Sequence, residues 1–96
     1  MRMLLTAHMN TEKANQAYAD GTLLKDMEGM LEYLKCEAAY FTAVDGKRTC
    51  MLVFDMKDSS QMPGIAEPFF SNDAEVYFHP VMSIDDLRTG LANTGR

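Results

Sequence analysis

Two histidines, His8 and His79, and two tyrosines, Tyr40 and Tyr77, are the side chains of this 96-residue sequence best suited to acid-base chemistry. An imidazole gains or loses a proton near neutral pH, and a phenol both donates and accepts a hydrogen bond. In a working site His8 or His79 would shuttle a proton while Tyr40 or Tyr77 orients the substrate. Thr6 and Asp55 add a hydroxyl and a carboxylate to the same set. The competing reading is a packed interface in which each ring is hydrogen-bonded and serves no substrate. Two histidines with no third ligand at defined spacing make no metal site. Asp55 falls at a strand end opposite the start of the chain, so an ion pair with Arg2 competes with a role as base.

These residues need elements to carry them, and period-2 and helical patterns supply the elements. Residues 1–9 alternate, with Met3, Leu5, Ala7 and Met9 on one side and Arg2, Leu4, Thr6 and His8 on the other, as a half-buried strand does. Asn10 or Thr11 caps a helix whose later apolar positions include Leu23, Leu24, Met27, Met30, Leu31 and Leu34. Asp20-Gly21 is its weak point, where the helix bends or restarts at Thr22. Residues 36–56 read as a hairpin, because Asp45-Gly46 tolerates positive φ at both central positions of a type I′ turn. With that turn Thr42 faces Thr49, Tyr40 faces Met51, Ala38 faces Val53 and Cys36 faces Asp55. Ala39, Phe41, Cys50, Leu52 and Phe54 share the other side.

Ser59 or Ser60 is then expected to cap a short helix with Pro63 in its first turn and Ile65, Ala66, Phe69 and Phe70 on its apolar face. Pro68 keeps that helix short or kinked. Residues 74–82 alternate, setting Val76, Phe78, Pro80 and Met82 against Glu75, Tyr77, His79 and Val81. Ser83 with Asp86 forms a capping box for a last helix, which Gly90 should end. The order β-α-β-β-α-β plus a terminal helix is the ferredoxin-like α+β unit, a four-stranded antiparallel sheet with both main helices on one face. One domain, residues 1–96, accounts for the whole chain.

Composition narrows the function classes. Nine Lys+Arg against fourteen Asp+Glu give a net charge of −5, with no basic cluster longer than Lys47-Arg48, so nucleic acid is not an expected partner. The apolar run at the start is too short for a signal segment or a membrane span, and a cytoplasmic protein is the expectation. Cys36 and Cys50 have no CxxC or Cys/His spacing. The hairpin reading puts them on opposite faces roughly 17 Å apart, as two thiols. Nine methionines are unusual, and Met3, Met9, Met56 and Met82 read as core filler.

The face not claimed by helices gathers Leu4, Thr6, His8, Ala38, Tyr40, Thr42, Thr49, Met51, Val53, Asp55, Tyr77, His79 and Val81. It is too apolar for solvent, and a second copy of the same sheet is the economical cover, which makes a homodimer. The arrangement resembles the dimeric α/β-barrel superfamily. Tyr40-Phe41-Thr42, Asp45-Gly46-Lys47-Arg48, Glu67-Pro68-Phe69-Phe70 and Phe78-His79-Pro80-Val81-Met82 look like a family of short bacterial proteins of unknown function within it. The resemblance covers most of residues 3–88, and Tyr77 departs from a position that is often acidic in that family. It implies a fold more than a reaction, since the superfamily includes cofactor-independent monooxygenases, isomerases, haem enzymes and ligand sensors.

Three functional readings follow as expectations. One is a homodimer that binds a small apolar or aromatic molecule between its sheets, with Thr6, Tyr40, Asp55 and Tyr77 as ligand contacts. Another is a cofactor-independent oxygenase or isomerase in which His8 or His79 carries the proton. A third is an assembly dimer whose interior is filled by its own side chains. No motif calls for a cofactor or a metal.

Overall fold

The computed structural model describes residues 1–95. Arg2–His8 forms β1, Thr11–Asp20 α1, Leu23–Leu34 α2, Ala38–Val44 β2, Lys47–Asp55 β3, Met62–Phe70 α3, Glu75–Pro80 β4 and Ile84–Asn93 α4. The four strands make one antiparallel sheet in the order β2-β3-β1-β4, the ferredoxin-like arrangement expected from the pattern. The core lies between the sheet and helices α2 and α3. Met3, Leu5, Cys50, Leu52 and Phe54 from the sheet meet Leu34, Ile65 and Phe69 from the helices. Alternation explains this directly, because every second residue of β1 and β3 turns to the same side.

Local chemistry sets the breaks. Asn10 caps α1 by accepting the Lys13 N–H at 3.0 Å. Gly21 ends the helix in the left-handed region at φ 75°, a conformation open to glycine at little cost, and α2 restarts beyond Thr22. The β2–β3 turn has positive φ at both Asp45 (51°) and Gly46 (77°), the type I′ geometry. It sets the expected pairs Thr42–Thr49, Tyr40–Met51 and Ala38–Val53.

Several expectations fail, each for a local reason. Cys36 does not continue β2 opposite Asp55. Its N–H closes the end of α2 on the Leu31 carbonyl, Lys35 turns left-handed at φ 52°, and the side chain packs against the core cluster that holds Cys50. The two cysteines are therefore not on opposite faces, and both are free thiols. Asp58, not Ser59 or Ser60, supplies the cap before α3. It accepts the Ser60 N–H in a capping box with Gln61, and a 3₁₀ turn at Ser59–Gln61 leads into the helix.

Phe70 points away from the core on α3 and is 48% exposed. Phe41 stands on the helix side of edge strand β2, but the described helices do not bury it and it stays 53% exposed. Strand β4 stops at Pro80, so Pro80 and Met82 do not join the core. Gly90 does not end α4, which runs on to Asn93 behind the expected Ser83–Asp86 capping box. That helix buries none of its residues and leaves Ile84, Leu87 and Leu91 open. The radius of gyration, 15.5 Å, exceeds the roughly 12.5 Å of a compact chain this long, and the longest axis is 54 Å. Both fit a helix that extends from the body.

Candidate functional site

The uncovered face of the sheet is a grid whose rows run across the four strands in the order β2, β3, β1, β4. Thr42, Thr49, His8 and Glu75 form one row. Tyr40, Met51, Thr6 and Tyr77 form the next, and Ala38, Val53, Leu4 and His79 the third. Arg2 and Asp55 pair beyond them at the open end.

This register separates residues that the alternating pattern alone groups together. His8 and His79 share a face and sit on adjacent strands, yet His79 pairs with Leu4, four residues from His8. That places the two imidazoles about 13–14 Å apart along the strands. Tyr40 and Tyr77 occupy one row on opposite edges, about 14 Å apart. Although Asp55 is the register partner of Arg2, the two make no ion pair. The N-terminal ammonium reaches its Oδ1 at 2.8 Å and Lys57 Nζ reaches Oδ2 at 3.2 Å. Those contacts, the N-terminal hydrogen bond first and Lys57 next, hold its carboxyl below the ordinary carboxylate range, which suits a structural ion pair. Arg2 turns instead to Glu37 at 2.6 Å and Asp86 at 3.9 Å.

What the fold does bring together is one corner. His8 is half-buried, and its Nδ1 lies 2.8 Å from the Thr49 hydroxyl. Its ring meets Tyr77 edge to face, with centroids 5.6 Å apart and planes at 68°. Thr6 stands beside Tyr77 in the next row, and Glu75 is the β4 partner of His8. Lys47 approaches Glu75 at 3.6 Å, and a recess of about 350 Å³ opens past them, lined by His8, Asn10, Glu12, Lys47, Asp73 and Glu75. His8, Thr6 and Tyr77 are thus one cluster, while His79, Tyr40 and Asp55 lie apart from it.

Sequence reasoning passed over Glu75, Lys47 and the contact of Thr49 with His8. Glu75 was available to it, since it alternates with Tyr77 and His79 on the same strand. Thr49 carries no signal in the sequence, because its burial, 1% exposed on a face otherwise open, depends on what neighbouring strands set over it. A second recess of about 350 Å³ lies on the other side of the sheet, between α1, α2 and the end of α3, with Ala14, Leu23, Met27, Met30 and Phe69 in its walls. Among the described residues no group of three or more His, Cys, Asp and Glu side chains is set to hold a metal ion. No described helix is long and apolar enough to cross a membrane.

No protein-family model matches the chain, and no curated protein matches it. Among solved structures it is similar to the 5-chloro-2-hydroxyhydroquinone dehydrochlorinase TftG of Burkholderia phenoliruptrix AC1100, in complex with 2,5-dihydroxybenzoquinone. The two share 13% identity at a TM-score of 0.64, over 85% of this chain and 94% of that one. The likeness supports the ferredoxin-like α+β fold read from the sheet order. At 13% identity the likeness reaches no further than the fold.

Proposed function

We propose that the protein is a homodimer that binds a small aromatic molecule on the uncovered sheet face, at the corner built by His8, Thr6 and Tyr77. The observation that carries this reading is the mixed character of that face. Leu4, Met51 and Val53 line its middle, Tyr40 and Tyr77 stay 66% and 46% exposed, and no described helix lies over it. An apolar face of this kind with a few convergent polar groups at one end is the usual form of a small-molecule site. The structural neighbour holds a dihydroxyquinone in the same fold, which makes hydroxylated aromatics the first ligands to try.

A catalytic reading has one observation in its favour. His8 is positioned by two neighbours, Thr49 and Tyr77, and has a carboxylate in register on β4, as a proton-transfer residue requires. A cofactor-independent isomerase or oxygenase would use it as the base. The test is thermal shift and calorimetry with 2,5-dihydroxybenzoquinone and hydroquinone. Binding is expected in the wild type, with at least tenfold loss in His8→Gln and Tyr77→Ala and little change in His79→Gln. Equal affinity in wild type and His8→Gln would rule this corner out. Conversion of a hydroxylated aromatic that is lost in His8→Gln would select the catalytic reading.

A further inference from the structure

We infer that Thr49 is a positioning residue that fixes His8 as the Nδ1–H tautomer, so that the site presents a bare Nε2 lone pair. The inference rests on the proposal that this corner is the ligand site. It starts from the single proton of the threonine hydroxyl. Thr49 Oγ1 lies 3.1 Å from the Lys47 carbonyl and 2.8 Å from His8 Nδ1. A carbonyl only accepts, so the hydroxyl proton belongs to Lys47; turned toward His8, it would leave two oxygen lone pairs facing each other at 3.1 Å. With its proton committed, the hydroxyl accepts from His8, and Nδ1 must carry the hydrogen.

Burial strengthens this. Thr49 is 1% exposed, so no bulk water stands ready to replace either partner, and an unpaired hydroxyl here would cost free energy. Free imidazole in water has no such constraint, and its hydrogen is free to sit on either nitrogen. Tyr77, edge to face at 5.6 Å, holds the ring plane while Thr49 sets which nitrogen is bare. Among the described residues no side chain is hydrogen-bonded to Nε2.

A chemical consequence follows for the ligand. A neutral His8 in this tautomer accepts a hydrogen bond and donates none outward. The complementary ligand therefore presents a proton donor at that point, such as a hydroxyl or an amine, and a group that only accepts, such as a quinone carbonyl, is disfavoured there.

Nitrogen-15 spectra of the histidine rings, recorded in alkaline buffer where imidazole is neutral, read the tautomer with no ligand present. Wild type and Thr49→Ser should show a protonated Nδ1 and a bare Nε2. Thr49→Val should shift His8 toward the Nε2–H form while His79 stays unchanged. A wild-type spectrum with Nε2–H, or with the two forms mixed, overturns the inference even if Thr49→Val fails to fold. In the second arm, hydroquinone should bind at least tenfold more tightly than benzoquinone to wild type, and Thr49→Val should erase the preference. A preference for benzoquinone would overturn the ligand complementarity. If neither compound binds and the tautomer is as stated, the choice of this corner as the ligand site fails while the role of Thr49 stands.

Discussion

Cys50 illustrates how far a residue's chemistry is set by what surrounds it. Its position in an alternating strand predicts the core, and burial then pushes its thiol up to about 11 from an ordinary 9.0. Burial raises Cys36 in the same direction. Because the folded-state value lies above the unfolded one, the protonated thiol contributes stability that is complete below about pH 8.5 and is lost as pH rises toward 11. Urea unfolding should therefore show the wild type losing on the order of 2–3 kcal/mol relative to Cys50→Ala between pH 8 and pH 11. Parallel profiles for the two proteins would show that the thiol ionises as readily in the fold as out of it. Native Cys50 should also resist alkylation at pH 8, where its thiolate is scarce. Single residues of the site were legible in the sequence by type alone. His8, Thr6 and Tyr77 could be placed on one face, but distance along the strands separates His79 from His8, and that depends on how β4 pairs with β1. The pairing of Asp55 with the N-terminus and Lys57 was likewise beyond reach, since two exposed carboxylates compete for Arg2 and Glu37 takes it.

At the scale of elements, strands and turns were the most legible and the ends of helices the least. A β-strand declares itself through its period, and Asp45-Gly46 has few alternatives to the turn it makes, so three of four expected hairpin pairs appear. The fourth, Cys36 with Asp55, lost to the left-handed cap at Lys35, which no sequence rule favours because lysine rarely adopts it. Gly21 is the opposite case, a cap with the residue that suits it. Nothing lies within 4 Å of a Cβ built there, so Gly21→Ala meets only the conformational cost of positive φ, about 1 kcal/mol by denaturant unfolding. No loss of stability would mean that the α1–α2 junction readily changes its geometry. The capping carboxylates give a second test. The Ser60 N–H holds Asp58 below its ordinary value, and the Ser83 N–H does the same for Asp86. Groups lowered in this way contribute stability above their unfolded value, near pH 4, and that contribution disappears as pH falls through the folded value. Protection of the amides at the starts of α3 and α4, taken relative to their intrinsic exchange rates at each pH, should fall between pH 5 and pH 2 in the wild type. The corresponding variants Asp58→Asn and Asp86→Asn should lack that acid dependence.

At the scale of the whole molecule the question is what lies on the uncovered face. The alternation of four strands was enough to predict a second, mixed face, and the sheet order confirms that its rows are continuous from β2 to β4. Met51 sits in the second row between Tyr40 and Thr6, half-buried even with no partner over it. A second copy packed there by a two-fold axis would remove Leu4, Met51, Val53 and Tyr40 from water on both protomers at once. At about 25 cal/mol per Å² of apolar surface, a standard interface of about 800 Å² per partner gains enough to offset the loss of translational freedom. A charge at the centre of that patch should oppose it. Met51→Glu places an unpaired carboxylate where no cation of the same row faces it, and burying such a group costs several kcal/mol. Light scattering at micromolar concentration should thus give twice the chain mass for the wild type and a single chain mass for Met51→Glu, with the monomer's circular dichroism unchanged. The terminal helix supplies the control, because Leu87 and Leu91 form a second exposed apolar stripe that could also hold two copies together. If Leu87→Glu with Leu91→Glu yields the monomer while Met51→Glu remains a dimer, the copies meet through α4 and the sheet faces do not enclose a site.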